Sequence, residues 1–399
     1  MKSKKKFVLA GLMLLATVLV LPLVGCDTDS GGGSVAQKPA TNTPGGGTGG
    51  NGGNGEVYTV TFNANGGTFA DGNGTKTVTV ESGQTIEEPL VTYPGTKNEL
   101  YCWEEFRQAV TFPLEVEKNM TLTAEWGIKV GGTVYPKTGE VQVLSEAVNL
   151  SSLYTTGYSQ IFVKNRVDSI QPFVMGQYEV TQQLYSAVMG SNPSNFTSDV
   201  ETGELQELRP VEKMSWHDAV VFCNELTKKV LGDGACVYYS DAGLKTVYTT
   251  DDGAAKKTPY MDISKSGYRL PTEAEWELAA RGGDPNVGAW KDTYAGSDTI
   301  DDVAWYSGNS SSKTHQVGTK EPNRLKLYDM SGNVAEWCWD WRSKSITAAT
   351  PTDGAADGSY RVLRGGGWLN KVDNCAVSFC FDGIPSPSLR GFRVVRSAN

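Results

Sequence analysis

Two cysteines close to the C-terminus are the residues best suited to chemistry. In the stretch RGGGWLNKVDNCAVSFC, residues 364–380, Cys375 and Cys380 follow a glycine run and stand five positions apart. Thiolates are soft ligands that suit Cu(I), so such a pair could form a redox centre. Two buried thiols or a short disulfide would explain the same residues without catalysis. The stretch is therefore either a redox centre or part of a binding face.

Other kinds of catalytic or binding site find little support. The two histidines, His217 and His315, are far apart and have no metal-ligand spacing, which argues against zinc and histidine-rich iron sites. We expect His217 in the exposed first turn of a helix and His315 in a loop. No phosphate-binding glycine loop or nucleophile elbow is present. The net charge of −9, with no long basic run after the first six residues, excludes a nucleic-acid partner.

The N-terminus has the features of an export signal. Residues 1–26 contain a basic start, an apolar run and small residues before Cys26. The tetrad Leu23-Val24-Gly25-Cys26 resembles the bacterial lipobox, which implies that Cys26 carries fatty acids such as palmitate and anchors the protein to a membrane. The alternative is an ordinary transmembrane anchor. Residues 27–55 are rich in glycine and predict a flexible tether.

A β-rich segment follows the tether. Residues 57–126 contain alternating stretches such as VYTVTFNANGGT, TKTVTVESG and MTLTAEW, and Asn65-Gly66 is a strong hairpin-turn signal. The segment resembles the β-grasp-like internalin B-type repeat of bacterial surface proteins, which implies a stalk or adhesive spacer. Together with the tether, this resemblance predicts a lipid-anchored envelope protein on the outer membrane or cell surface. Residues 127–169 are interpreted as a connector.

Three capped helices are predicted after residue 170. Thr181 caps a helix that ends at Gly190, and Ser215 with Asp218 forms a capping box before an apolar face. A second capping box begins at Thr272 in YRLPTEAEWELAARGG and starts the third helix.

These helices, together with LYDMSGNVAEWCWDW, RVLRGGGWLN and RGFRVVRS, closely resemble the formylglycine-generating enzyme, or sulfatase-modifying factor, family over residues 170–397. The resemblance implies an α+β fold related to C-type lectins, with low regular secondary structure. The abundance of glycine, asparagine, serine and tryptophan after residue 280 suits ordered loops held by aromatic side chains.

The same resemblance implies a copper-dependent oxidase that converts a substrate cysteine to formylglycine, with copper held by two cysteines five residues apart. Alignment on the glycine run places the first of these cysteines at Asn370 and the second at Cys375. Cys380 restores the spacing but corresponds to a structural cysteine of the family. We therefore expect the oxidase activity to be lost, although a Cys375/Cys380 copper site stays open as an alternative.

Further departures from the family agree with that expectation. The family's structural cysteine pairs are broken, since the position paired with Cys380 is Ala280 and the position paired with Cys223 is Val394. A serine and a tryptophan that border the oxygen pocket in active members are Gly367 and Ala335 here.

A structural calcium site is also implied by the resemblance. Its ligands carry over to Asp329, Gly332, Val334 and Glu336 in LYDMSGNVAEW, and hard oxygen ligands with two carboxylates suit calcium. The alternative is that Asp329 and Glu336 accept hydrogen bonds from backbone donors in a turn.

The region after the glycines has no period of 2 or 3.6, which favours a surface carried on a rigid frame. It resembles the C-terminal variable regions of ligand-binding proteins in the same lectin-like family that are diversified by retroelements. The predicted contacts to an unknown protein or glycan are Trp368, Leu369, Lys371, Asp373, Phe379, Phe381, Asp382 and Ile384. The alternative places Phe379 and Phe381 in the core. Three functions thus compete, namely a surface binding module, a formylglycine-generating oxidase and a structural envelope protein.

Overall fold

The computed structural model describes residues 55–106, 108–154, 159–166, 168–343, 345–351, 357–381 and 386–398. The predicted export signal with Cys26, the tether up to residue 54, and the predicted contacts Asp382 and Ile384 lie outside the described residues. Gly53–Asn399 forms one compact unit. Within the described ranges, each helix is too short or too polar to cross a membrane.

The N-terminal region is built from strands. Their bounds are β1 Val57–Asn63, β2 Thr75–Glu81, β3 Gln84–Ile86, β4 Asn98–Glu105, β5 Gln108–Val110, β6 Leu114–Val116, β7 Met120–Val130 and β8 Thr133–Tyr135. The main sheet has the order β2-β1-β7-β4-β5, and β8 pairs with β7. β1 and β7 run parallel, whereas the other neighbours in this sheet are antiparallel.

Alternation of apolar and polar residues explains this sheet. Val60 and Phe62 of β1 lie in the same buried cluster as Leu122, Ala124 and Trp126 of β7, while Thr61 and Thr123 between them lie on the other face. Asn65-Gly66 does form a tight turn, closed by the hydrogen bond from the Gly67 amide to the Ala64 carbonyl at 2.9 Å.

That turn does not join the two strands directly, however, and this differs from the predicted two-residue hairpin. The antiparallel partner of β1 begins only at Thr75. The chain between them pairs elsewhere, because Thr68 forms a β-bridge with Thr92.

The C-terminal region mixes short helices and strands with long loops. The strands are β9 Glu140–Leu144, β10 Val148–Asn149, β11 Ser169–Ile170, β12 Phe173–Gly176, β13 Tyr238–Tyr239, β14 Tyr260–Met261, β15 Ala335–Trp341, β16 Arg361–Arg364, β17 Arg390–Gly391 and β18 Val395–Ser397. The α-helices are α1 Gln182–Met189, α2 Trp216–Val230, α3 Thr250–Ala254, α4 Glu273–Ala280 and α5 Ile300–Val303. The 3₁₀ helices are Leu150–Leu153, Gln206–Leu208, Asp233–Ala235, Gly288–Lys291, Val372–Cys375 and Pro387–Leu389.

Two small sheets organise this region, one with the order β18-β12-β9 and one with the order β16-β15-β17. The predicted mixture of helices and strands with low regularity is confirmed at this level.

The three predicted helices are present with the predicted caps. The Thr181 hydroxyl accepts a hydrogen bond from the Leu184 amide, and Gly190 ends α1 with a φ of 74°. Reciprocal capping boxes begin α2 at Ser215 and α4 at Thr272. A third capping box at Thr249, which begins α3, was not recognised in the sequence.

Residues 127–169 are more than a connector. β7 continues to Val130, and β9 pairs with β12 inside the C-terminal region. Val141, Val143 and Leu144 are buried there, so this stretch supplies part of the core.

Candidate functional site

A glycine run holds the predicted binding segment at the end of β16. Gly365 and Gly366 have φ values of 85° and 72°, a region that favours glycine. A Cβ atom on Gly366 would lie 2.6 Å from the Asn374 carbonyl oxygen and 2.9 Å from the Cys375 sulfur. The backbone at Gly366 therefore packs directly against the start of the cysteine-containing segment.

Trp368 supports this segment from inside. Its side chain is buried, its ring packs edge-on against Phe196 with ring centroids 5.1 Å apart, and its indole N–H donates to the Ser388 carbonyl at 2.9 Å. Its own carbonyl accepts a hydrogen bond from the Ser310 hydroxyl at 2.7 Å. The prediction that Trp368 contacts a ligand therefore needs correction, because the indole is used to anchor the loop.

The residues that follow Trp368 are the exposed ones. Leu369 is 50% exposed, and Lys371 and Asp373 are also exposed. Val372, which was not among the predicted contacts, is 40% exposed. The segment from Leu369 to Asp373 thus presents two apolar and two charged side chains to solvent.

Phe379 and Phe381 are neither fully exposed, as ligand contacts would be, nor fully buried, as core residues would be. Both are partly buried and pack edge-on against each other with centroids 5.0 Å apart. Phe381 also packs against the large buried cluster around α2. Phe381 therefore covers the core with one face while part of its ring stays accessible.

The two cysteines occupy different buried clusters. Cys375 packs with Tyr294 and Val303, whereas Cys380 belongs to the cluster that contains Ala280. Neither forms a disulfide, and burial raises the pKa of each thiol to about 12. Because the two sulfurs are buried in different clusters, they do not fit a copper site that requires both thiolates on one ion.

Asn370 stands where the resemblance implies the first copper cysteine. Its backbone carbonyl accepts a hydrogen bond from the Ser307 amide at 3.0 Å. Its side-chain oxygen is buried without a hydrogen-bond partner within the described residues. An amide oxygen is a hard ligand, so this side chain is a poor substitute for a thiolate toward Cu(I).

The implied calcium residues lie around two buried carboxylates. Glu336 accepts hydrogen bonds from the Trp276 indole at 2.7 Å and from two nitrogens of Arg393 at 2.7 and 2.6 Å. Asp329 accepts one hydrogen bond from the Gly318 amide at 2.8 Å, and its other oxygen has no partner within the described part of the chain. Burial raises the pKa of Asp329 to about 6.

The backbone amides of this loop are held by protein partners, whereas calcium would use its carbonyl oxygens. The Gly332 amide donates to the Gly365 carbonyl, and the Val334 amide donates to Glu179, a buried carboxylate that the sequence did not single out. A calcium site needs six to eight oxygens, whereas Arg393 occupies both oxygens of Glu336. The four residues fit calcium only in part, and calcium binding stays a prediction. Within the described ranges, no group of three histidine, cysteine or acidic side chains is placed to hold a metal.

His315 lies in a loop, as predicted, whereas His217, predicted to be exposed in the first turn of a helix, is partly buried there. His315 is 2% exposed, stacks on Trp305 at 3.7 Å between ring centroids, and lies 2.9 Å from Glu204. His217 is half-buried beside the Tyr248 hydroxyl, at 3.1 Å. Both serve packing, and no second histidine faces either ring in the described part of the chain.

Comparisons with known proteins agree with this architecture. A family described as "Sulfatase-modifying factor enzyme 1-like domain" matches residues 125–398, so the matched range includes the predicted connector. The "Chaperone protein LppX" of Paenibacillus barcinonensis is 35% identical over 259 residues, which are 57% of this chain and 81% of that protein.

Two further relatives point in different functional directions. The formylglycine-generating enzyme of Streptomyces coelicolor is 39% identical over 127 residues, or 29% of this chain and 39% of the enzyme. The solved structure of Treponema denticola variable protein 1 is 39% identical with a TM-score of 0.55, and the alignment covers 67% of this chain and 97% of that one. The similarity to the enzyme is thus confined to less than half of its length.

Proposed function

This chain belongs to the sulfatase-modifying factor family, and from that premise we propose that it is a non-catalytic, ligand-binding lipoprotein of the cell envelope. The observation that carries the proposal is the separation of Cys375 and Cys380 into different buried clusters, with Asn370 at the place of the first copper ligand. Without two thiolates at one point, the oxidase has no site for its metal.

The binding surface that we propose is the short exposed segment from Leu369 to Asp373. Its backbone is held by the tight approach at Gly366 and by the anchored Trp368. A rigid frame lowers the entropy that binding costs, while Leu369 and Val372 offer apolar contact area and Lys371 and Asp373 offer polar specificity. The ligand class is a protein or a glycan.

We also propose that this segment is diversified, as in the retroelement-diversified members that the sequence resembles. A relative with the same fold is named a variable protein, and 97% of it aligns with this chain. We likewise propose that the C-terminal region is a C-type-lectin-like domain and that the N-terminal sheet is a β-grasp-like, internalin B-type spacer.

Sequencing the locus in sister isolates tests the diversification. We expect substitutions clustered at residues 369–389, with Trp368 and the glycine run unchanged. Uniform drift along the chain would instead favour a structural envelope protein and contradict the proposed recognition role.

The oxidase alternative is tested with the full chain, Cu(I) and a Cys-X-Pro-X-Arg peptide, with oxygen consumption as the readout. We expect no turnover from the natural chain. Asn370→Cys should raise the affinity for Cu(I) relative to Asn370→Ser, which has a similar size but no soft ligand. Turnover by the natural chain would refute the non-catalytic proposal.

The lipid anchor is tested by fractionating cells that express the natural chain or Cys26→Ser. Loss of the acylated cysteine should block lipid attachment and keep the export signal uncleaved, so the precursor should run at a higher mass without labelling by radioactive palmitate. Equal palmitate labelling of both proteins would contradict the assignment of Cys26. Unlabelled natural protein in the membrane fraction would favour the transmembrane anchor.

A further inference from the structure

A polar cleft lies on the side of the N-terminal sheet that faces away from its buried cluster. Its volume is about 870 Å³, and it extends from β1 and β7 to Tyr178 and Tyr328 of the C-terminal region. Neither the glycine run nor the exposed segment at 369–373 lines it. This cleft is therefore separate from the surface proposed above.

One wall of the cleft is a platform of hydroxyl and amide groups. In the parallel pair of β1 and β7, Thr61 stands beside Thr121 and Asn63 stands beside Thr123. Because side chains alternate along a strand, these four residues share the face opposite the buried Phe62 and Leu122. The row formed by Asn63 and Thr123 continues to Glu104 of β4, because Glu104 is paired with Thr123.

The hydroxyls of this platform are available to a ligand. No hydrogen bond within the described residues uses the side-chain oxygens of Thr61, Thr121 or Thr123. Each hydroxyl can donate one hydrogen bond and accept two, and neighbouring strands place the rows about 4.8 Å apart. The wall thus presents a regular array of donors and acceptors.

Aromatic rings form the opposite side and the rim. Tyr178 and Tyr328 stack with centroids 5.0 Å apart and an angle of 17° between the rings. Phe106 lies at the rim and is 88% exposed. An aromatic ring offers a flat apolar surface, which suits the apolar face of a sugar ring.

The charges in the cleft balance. Its lining contains three glutamates, Glu104, Glu105 and Glu125, and three lysines, Lys118, Lys137 and Lys326. Lys137 lies 2.8 Å from Glu125 and 3.8 Å from Glu104, and Lys118 lies 2.9 Å from Glu105. An anionic ligand would have to displace these carboxylates, so the lining favours a polar ligand without net charge.

The cleft is built on rigid elements. β7 runs without interruption from Met120 to Val130, so it carries the platform and also enters the C-terminal core through Ile128. The Trp126 indole donates to the Ala64 carbonyl at 2.9 Å. Glu140 accepts hydrogen bonds from both Arg396 and the Lys97 amide, which joins the two regions. The walls are therefore fixed before a ligand arrives.

We propose that this cleft binds a neutral oligosaccharide. The threonine and asparagine platform hydrogen-bonds the sugar hydroxyls, and the exposed Phe106 and the accessible part of Tyr328 contact the sugar rings, while the buried Tyr178 supports Tyr328 from behind. The site is additional to the exposed segment at 369–373, and it does not depend on that segment's function.

Isothermal titration of the full chain in detergent tests this inference. The probes are maltohexaose, cellohexaose and the hexamer of N-acetylglucosamine, and an anionic heparin hexasaccharide serves as the contrasting ligand. We expect at least one neutral hexasaccharide to bind and heparin to bind at least tenfold more weakly. Failure of all three neutral probes, or preference for heparin, would overturn the proposal.

Matched variants locate the binding. Thr121→Val with Thr123→Val keeps the shape and strand propensity but removes two hydroxyls, and it should weaken binding roughly tenfold. Thr79→Val changes an exposed threonine of β2 that does not line the cleft and should leave the affinity unchanged. Equal affinities of the double variant and the Thr79 variant, with equal melting temperatures, would refute the assignment.

Leu369→Ala with Asp373→Ala separates the two surfaces. This variant should bind the neutral hexasaccharide as the natural chain does, because its changes lie outside the cleft. Loss of sugar binding in this variant would place the sugar on the 369–373 surface instead and overturn the cleft assignment. If the cleft does not bind sugar, the proposed recognition role of residues 369–373 is unaffected, because sequencing of sister isolates tests it separately.

Discussion

The N-terminal sheet and the C-terminal region satisfy their polar groups in different ways. In the sheet, strand pairing satisfies the backbone, and the side chains of the outer face are left exposed. In the C-terminal loops, buried side chains form hydrogen bonds with the backbone groups instead. Arg393 donates to the carbonyls of Gly176 and Tyr328 while it pairs with Glu336.

This difference bears on where a ligand can bind. A buried backbone N–H or C=O needs a hydrogen-bond partner. Where the chain forms no regular strand or helix, buried arginine, asparagine and acidic side chains supply these hydrogen bonds. Asn333, for example, bonds Glu179 and the His315 carbonyl. The buried polar side chains of the C-terminal region are therefore already used internally, whereas the outer face of the sheet presents polar side chains to solvent.

The largest expected effect is on the buried ion pair. Arg393→Met leaves Glu336 buried without its partner and should lower the free energy of unfolding by about 3–5 kcal/mol. Urea denaturation measures this loss. Arg324→Met, at an exposed arginine, is the control and should change stability by less than about 0.5 kcal/mol.

A second substitution sharpens that result. Adding Glu336→Gln to Arg393→Met removes the unpaired charge and should recover part of the loss, since an amide oxygen still accepts from Trp276. If the double variant is no more stable than Arg393→Met, the charge of Glu336 is not what makes the single change costly.

A smaller effect is expected at the glycine frame. Gly366→Ala should cost about 2–3 kcal/mol, because an alanine is strained at this φ and its Cβ meets the Asn374 carbonyl. Gly190→Ala has nearly the same φ but no atom within 4 Å of the added Cβ, so it should cost only about 1 kcal/mol. If thermal unfolding shows the same loss of stability for both variants, the loop adjusts at Gly366 and the frame is not rigid.

In the sheet, Phe62→Leu should cost about 1 kcal/mol. Phe62 is 1% exposed and packs edge-on against Trp103 at 5.1 Å between ring centroids, and leucine keeps most of the apolar volume. Phe106→Leu, at the exposed rim, should leave the urea midpoint almost unchanged. A similar loss in both variants would contradict the assignment of Phe62 to the core.

The last effect concerns the thiols and appears only at alkaline pH. The pKa of Cys375 and Cys380 lies near 12 in the folded chain, above the ordinary value of 9.0. Their contribution to stability is therefore complete below pH 9 and is lost as the pH rises toward 12.

At pH 8, iodoacetamide should not alkylate either thiol in the folded chain, as peptide mass spectrometry can measure. Cys102, buried in the sheet, reports opening of the N-terminal region in the same experiment. Alkylation of Cys375 or Cys380 at the rate of the urea-unfolded chain would show that the burial does not hold in solution.

Local signals in the sequence determined the local structure. The caps at Thr181, Ser215 and Thr272 were predictable because each cap and its helix lie within a few residues of one another. Alternation likewise predicted β1 and β7, and the glycine run predicted a tight frame.

Only the tertiary structure decided which of these residues meet. Glu179 and Arg393 lie far apart in the sequence but share one buried site, Trp368 turns inward to Ser388, and β1 lies beside β7 to form the cleft. Such contacts depend on how distant segments pack, and no periodicity within one segment encodes that. Sequence therefore set the local elements and the residue types after the glycine run, while packing set which polar groups remain free for a ligand.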